Sequence, residues 1–260
     1  MKDSNRIKLR PKQTYYSQGC ATLKTVERTV MKITKNEKVI SLVLKCITVI
    51  AAVWGIWLSA TGGNSAFMGG RHVFMFFTIQ SNIAIALICL IGAVLLVRNQ
   101  KVENWWYVLK FVGTVSITLT GMVFCFVLAP TLGSYAWQWN NVLTHVIVPI
   151  AAIADFFVTG VYGSIKNEHV LLVTLPPLAY AVYAGIGYLA GWEFLEGIHY
   201  PYFFLNWGSP AGAFGFTNEL PFMGCVWWIL VLLLFLIGVG KLYLWILKLR
   251  KQRLQNTRNR

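Results

Sequence analysis

The chain has 260 residues, 57% of them hydrophobic and only 12% charged, with a mean hydropathy of +0.59. That balance excludes an ordinary soluble domain and predicts a multi-pass membrane protein. The net charge of +14 does not indicate nucleic acid, because the basic residues gather at the two ends and in small loops, as membrane topology requires.

The first 38 residues hold ten Lys or Arg and no long apolar stretch, which predicts a basic cytoplasmic arm over 1–38. So long a basic lead before an apolar segment of spanning length does not fit a cleavable secretory signal. A weak amphipathic turn occupies Leu23 to Ile33; the arm reads more simply as a tail attracted to lipid. Six apolar segments follow, at 39–60, 73–97, 106–129, 141–163, 170–190 and 222–247, each near the roughly 20 residues that cross a bilayer. A basic tail, 248–260, closes the chain. With the arm placed inside, the inner loops hold Arg98, Lys101 and Lys166 and the stretch from Lys241 to Arg260 holds seven more basic residues, whereas the outer loops hold Arg71 alone. The expected fold is therefore all-α, a polytopic six-helix transmembrane domain over 39–247 with both termini cytoplasmic. Trp105 and Trp106 mark an inner interface, and Trp137 and Trp139 an outer one. No internal repeat is evident, so a transporter built from repeats gains no support. Cys20, Cys46, Cys89, Cys125 and Cys225 are widely spaced without a C-x-x-C pair and read as small hydrophobes.

Within the second segment, Phe76-Phe-Thr-Ile-Gln-Ser-Asn82 places four polar residues in five positions. Unsatisfied hydroxyls and amides are costly in hydrocarbon, so these side chains must face protein or a wet cavity. Thr78, Ser81 and Asn82 share one helix face at i, i+3 and i+4, while Gln80 points away. Interhelical hydrogen bonding is the plain use of such a cluster; a reactive site near the membrane surface is the sharper one. The fourth segment opens Asn140-Asn-Val-Leu-Thr-His-Val-Ile-Val-Pro149. Pro149 cannot donate to the His145 carbonyl, so a bend is expected beside an intramembrane imidazole with Asn141 on its face. Thr78 and His145 each lie about five residues past an outer segment end, roughly 7 Å deep, in segments of the same direction. That permits, without requiring, a hydroxyl–imidazole pair of the kind an ester hydrolase needs.

The inner half carries Lys45, Lys110 and Asp155. The two lysines are close enough to an inner end to snorkel, and Asp155, being deeper, is expected to contact Lys45 or Lys110 as a structural charge; it is about 15 Å along the helix from His145, too far to orient that imidazole. Thr114 and Thr118 continue the face of Lys110. Pro176 and Pro177 break the fifth segment. The apolar loop Gly191 to Pro221 is expected to pack back over the outer bundle surface. Its Glu196 and His199 have di-iron spacing, but the second pair and further carboxylates are missing, so no metal and no cofactor is expected.

The stretch Phe77-Thr-Ile-Gln-Ser-Asn82, the set Asn141, His145, Pro149 and Asp155, and Tyr200-Pro-Tyr-Phe-Phe-Leu-Asn206, in this order and topology, resemble the androgen-induced, FAR-type and androgen-dependent TFPI-regulating family of multi-pass membrane proteins, most of all its prokaryotic branch. The resemblance covers residues 40–247. It implies a bacterial cell membrane location and a lipid-ester hydrolase, as the animal members cleave fatty acid esters of hydroxy fatty acids with a Thr and a His. Thr78 would then be the nucleophile and His145 the general base, with Ser81, Asn82 and Asn141 as substrate or oxyanion candidates and membrane lipids as partners. The stretch around Thr78 is more polar than expected of the animal enzymes, and nothing in it identifies the lipid. The alternatives are a non-enzymatic lipid-binding or transport protein using the same polar cavity, and a scaffold acting through its basic ends.

Overall fold

The computed structural model describes residues 33–62, 70–159 and 164–258, and among them regular structure is entirely helical. Six helices are long and apolar enough to cross a membrane: α1 Lys35–Thr61, α2 Phe77–Val97, α3 Asn104–Trp137, α4 Trp139–Thr159, α5 Asn167–Leu189 and α6 Cys225–Arg258. Their apolar runs form helices because a chain in hydrocarbon has to satisfy every backbone N–H and C=O within the segment.

The ends differ from the sequence expectation in ways that local chemistry explains. α1 starts at Lys35, four residues early, because Thr34 and Glu37 form a capping box: the Glu37 N–H donates to Thr34 Oγ1 (3.2 Å) and the Thr34 N–H to Glu37 Oε2 (2.9 Å). The arm up to Lys32, and with it the Leu23 turn, lies outside the described residues. α2 starts at Phe77 rather than 73, since Gly70–Met75 is wound as a 3-10 turn. The fifth segment is a 3-10 helix over Asn167–Thr174 that becomes α-helical at Leu175, with Pro176 and Pro177 in the first α-turn, where a missing N–H costs nothing. The basic tail is no separate piece, for α6 continues as helix to Arg258. Arg250 on it donates to the Phe157 and Val158 carbonyls at the end of α4 and pairs with Glu37, which ties three helix ends together.

α1 buries a face of small and polar residues, Ser41, Lys45, Thr48, Ala51, Ala52, Gly55 and Ser59, which lets α2 and α4 approach closely. At Gly55 a Cβ would stand 2.7 Å from Thr144 Cγ2. On the same face sits an ion cluster. Lys45 Nζ donates to both Asp155 oxygens (2.5 and 2.6 Å) and to Ser41 Oγ (2.8 Å), and Lys110 Nζ lies 2.6 Å from Asp155 Oδ2. The expected contact of Asp155 with one lysine is met by both. Neither lysine snorkels: Lys45 is 4% and Lys110 6% exposed, because a carboxylate within the bundle is nearer than water. Trp106 likewise leaves the interface expected of it and is buried against Ile88 and Cys89, while Trp105, Trp137 and Trp139 are exposed.

The loop after α5 folds back over the bundle end that carries the starts of α2 and α4, as its apolar character demanded. Phe194, Tyr202, Phe204 and Leu205 are buried, with Phe194 and Tyr202 edge-on to Phe76. His199 bonds the Trp192 carbonyl (3.1 Å), and among the described residues no three His, Cys, Asp or Glu side chains gather as a metal site would need.

Candidate active site

Two helices widen at matching places. α3 makes a π-turn over Phe124–Leu128 before Pro130, and α4 makes one over Leu143–Ile147 before Pro149. Each π-turn inserts one residue into the helix, a distortion that recurs at functional sites. The two meet face to face: the Phe124 ring stacks on His145 with centroids 3.9 Å apart and planes at 22°. Gly121, one turn before Phe124, makes this approach possible, since a Cβ there would stand 2.9 Å from the His145 carbonyl and 3.2 Å from the Pro149 ring. Gly121→Ala is therefore expected to lower stability by about 1–3 kcal/mol, because the obstacle is backbone and proline rather than a flexible tip. Thermal unfolding of the purified variant in detergent checks this; an unchanged midpoint would contradict it.

The bend expected at Pro149 takes the form of this π-turn, and it moves the freed acceptor. The Val148 N–H bonds the Leu143 carbonyl, five residues back, so in that register the carbonyl that Pro149 fails to serve is Thr144's. Asn82 serves it instead. Its Nδ2 donates to the Thr144 carbonyl (3.1 Å) and to the Thr78 carbonyl (2.8 Å), bridging α2 and α4 at Thr78 and at the residue before His145.

His145 is 1% exposed. Its Nδ1 lies 3.0 Å from the Asn141 carbonyl and 3.0 Å from Thr144 Oγ1, whose own proton goes to the Asn140 carbonyl (2.8 Å). Both neighbours can only accept, so Nδ1 carries the proton and the neutral ring presents Nε2 as a bare base. No protein partner meets Nε2, and Asn82 Oδ1 is likewise buried and unpartnered.

Thr78 stands in the first turn of α2, 4% exposed, and its contacts are with Tyr202. The Thr78 N–H donates to the Tyr202 phenol oxygen (3.3 Å), and the two hydroxyls are 3.4 Å apart. Thr78 and His145 share no hydrogen bond; counting from segment ends had put them at one depth, whereas Thr78 is the second residue of α2 and His145 the seventh of α4. Asn82 links the helices that carry them, through the backbone of Thr78 and of Thr144. Ser81 and Asn82 share the Thr78 face as expected: Ser81 Oγ is within 2.9 Å of the Thr78 carbonyl and 2.8 Å of Thr120 Oγ1. Gln80 points outward and bonds the Phe74 carbonyl (3.2 Å). Of the three oxyanion candidates, Ser81 and Asn82 have their protons engaged, and Asn141, which bonds the Tyr135 carbonyl (3.3 Å), keeps one amide proton.

Thr78, Thr120, Leu119, Tyr180, Tyr202 and Leu232 help to line an open, almost wholly apolar cleft between α2, α3, α5, α6 and the cap loop. His145 is not in its wall. Tyr202 is the residue that sequence reasoning missed as a site member; only its place in an aromatic loop motif was visible. Burial pushes the Tyr202 phenol up, so it holds its proton at neutral pH.

These features define an all-helical protein of membrane type with a buried imidazole and a hydroxyl-bearing apolar cleft. Comparison with family models, curated proteins and solved structures finds no match to the chain.

Proposed function

We propose that the chain is an integral membrane protein, both termini cytoplasmic, that binds the acyl chain of a lipid ester in the Thr78 cleft and hydrolyses the ester. The observation that carries this reading is the Thr78 hydroxyl in the wall of an apolar cleft, with Asn82 joining the Thr78 carbonyl to that of Thr144, the neighbour of a neutral His145 whose tautomer is held by Asn141. The resemblance to the androgen-induced and FAR-type family supplies the same pair as nucleophile and base, and a bacterial cell membrane as the location. The distribution of positive residues supports the orientation.

In this mechanism His145 Nε2 takes the Thr78 proton as Oγ1 attacks the ester carbonyl. The imidazolium then protonates the departing alkoxide, and water, deprotonated by the same nitrogen, releases the acyl group from Thr78 as a carboxylic acid. The mechanism requires the Thr78 hydroxyl and His145 Nε2 to come within hydrogen-bond reach, directly or through a water, when substrate binds; catalytic hydrogen bonds are often long before that. Tyr202, protonated and beside Thr78, is the donor best placed for the developing oxyanion, with the spare Asn141 proton second.

A non-enzymatic lipid-binding role is the second reading, favoured by the absence of a Thr78–His145 hydrogen bond. A fluorophosphonate probe separates the two. Labelling of the purified chain at Thr78, lost in Thr78→Ala, is expected of a hydrolase; lipid binding without labelling, or labelling at another residue, would overturn the proposed chemistry.

A further inference from the structure

We propose a second ligand site in the other half of the bundle, where Lys110, with the charge of Lys45 beside it, donates to the carboxylate of a long-chain fatty acid. The first ground is charge. Two ammonium groups face one carboxylate in a cluster whose members are at most 6% exposed, and no other Asp or Glu among the described residues pairs with either lysine. One positive charge is left over, and buried charges are normally paired because an uncompensated one costs several kcal/mol.

The second ground is shape. Lys45, Lys110, Thr159 and Gln100 are the polar residues in the wall of an open cleft that is otherwise lined by apolar groups such as Leu95 and Trp106. Gly92 leaves room for the lysine stem, as a Cβ there would meet Lys45 Cε at 3.0 Å. A bare halide would balance the charge but leave those apolar walls unfilled, whereas a carboxylate on an acyl chain answers both the charge and the apolar walls.

The third ground is the hydrogen bonding of Lys110. Its shorter contacts run to Asp155 Oδ2 (2.6 Å) and Thr159 Oγ1 (2.5 Å), while the third, to the Asp155 carbonyl, is 3.2 Å long. That carbonyl already accepts from Thr159 Oγ1 at 2.8 Å. It therefore loses little when a ligand oxygen takes the Lys110 proton. Neither Thr78 nor His145 lines this cleft, so the inference does not rest on the hydrolase reading.

The test is binding of radiolabelled oleate to the purified full chain in an uncharged maltoside detergent. Saturable binding is expected, weakened about tenfold or more by Lys110→Met, as the loss of a charge-assisted hydrogen bond implies. Oleyl alcohol, which has the chain without the charge, is expected to compete poorly, and chloride not to displace oleate. Absence of binding, equal competition by the alcohol, displacement by chloride or unchanged affinity in Lys110→Met would each overturn the site. Should Lys110→Met fail to fold, a diazirine-bearing fatty acid photolabels the unaltered chain instead. Adducts on the stretch from Ile88 to Trp106 support the proposal, and adducts confined to Ile229–Leu233 beside Thr78 overturn it.

Discussion

His145→Gln is expected to slow lipid-ester hydrolysis by the purified chain by on the order of 10²–10⁴-fold, and Thr78→Ala to slow it at least as much, the range over which general bases and nucleophiles act. The two residues act on one proton, so the double variant should be no slower than Thr78→Ala alone; independent contributions would multiply. Thr78→Ser, which keeps a hydroxyl at the position, should retain measurable turnover. His145 is also a packed core residue under the Phe124 ring, so its loss has a structural component. Rates referred to the folded fraction, judged by helical circular dichroism and a single peak in size-exclusion chromatography, separate that component from the chemical one. Hydrolysis surviving in both single variants would remove Thr78 and His145 from the mechanism.

Asp155→Asn is expected to destabilise the bundle by about 3–5 kcal/mol, the cost of breaking a buried pair from one side. The carboxylate accepts from Lys45, Lys110 and Ser41 Oγ (2.6 Å), and removing its charge leaves two largely buried ammonium groups facing each other with no anion between them. α1, α3 and α4 lose their common link at the same time. The measurement is thermal unfolding in detergent, with Lys45→Met, Lys110→Met, Asp155→Leu combined as the counterpart. That triple variant removes all three charges and should recover much of the loss, since apolar side chains of similar volume replace buried ion pairs with little penalty. An unfolding midpoint for Asp155→Asn equal to that of the parent chain would show that the cluster does not hold the helices together.

The six helices were legible because a hydrocarbon environment imposes its demands on each segment separately. About 20 apolar residues, bounded by polar ones, are enough to specify a helix whatever its neighbours are. The polar face of Thr78, Ser81 and Asn82 was legible for the same kind of reason, since helical spacing alone puts the three on one side. The folding back of the 191–221 loop followed from its apolar content. The pairing of Asp155 followed from electrostatics: a buried carboxylate needs a cation, and Lys45 and Lys110 were the two at a similar distance from the inner ends of their segments.

Partner choice was not legible. Counting residues from segment ends placed Thr78 and His145 at one level, but α2 starts four residues later than its apolar run and α4 contains a π-turn. One inserted residue turns the following side chains by about 100° around the helix, which no local pattern announces. The proline after each π-turn was the only trace, and it was equally consistent with a simple bend.

By itself, then, the sequence determined an all-helical chain with six segments of spanning length, a polar face at the start of the second, and an intramembrane carboxylate that needs a cation, because each is a local consequence of composition and period. Only the tertiary structure decided that Tyr202 meets Thr78, that Asn82 joins the Thr78 and Thr144 carbonyls, that Phe124 stacks on His145, and that both lysines share Asp155. Those contacts depend on how far each helix is rotated and on which loop returns to cover it, and these are settled by packing between segments distant in the chain.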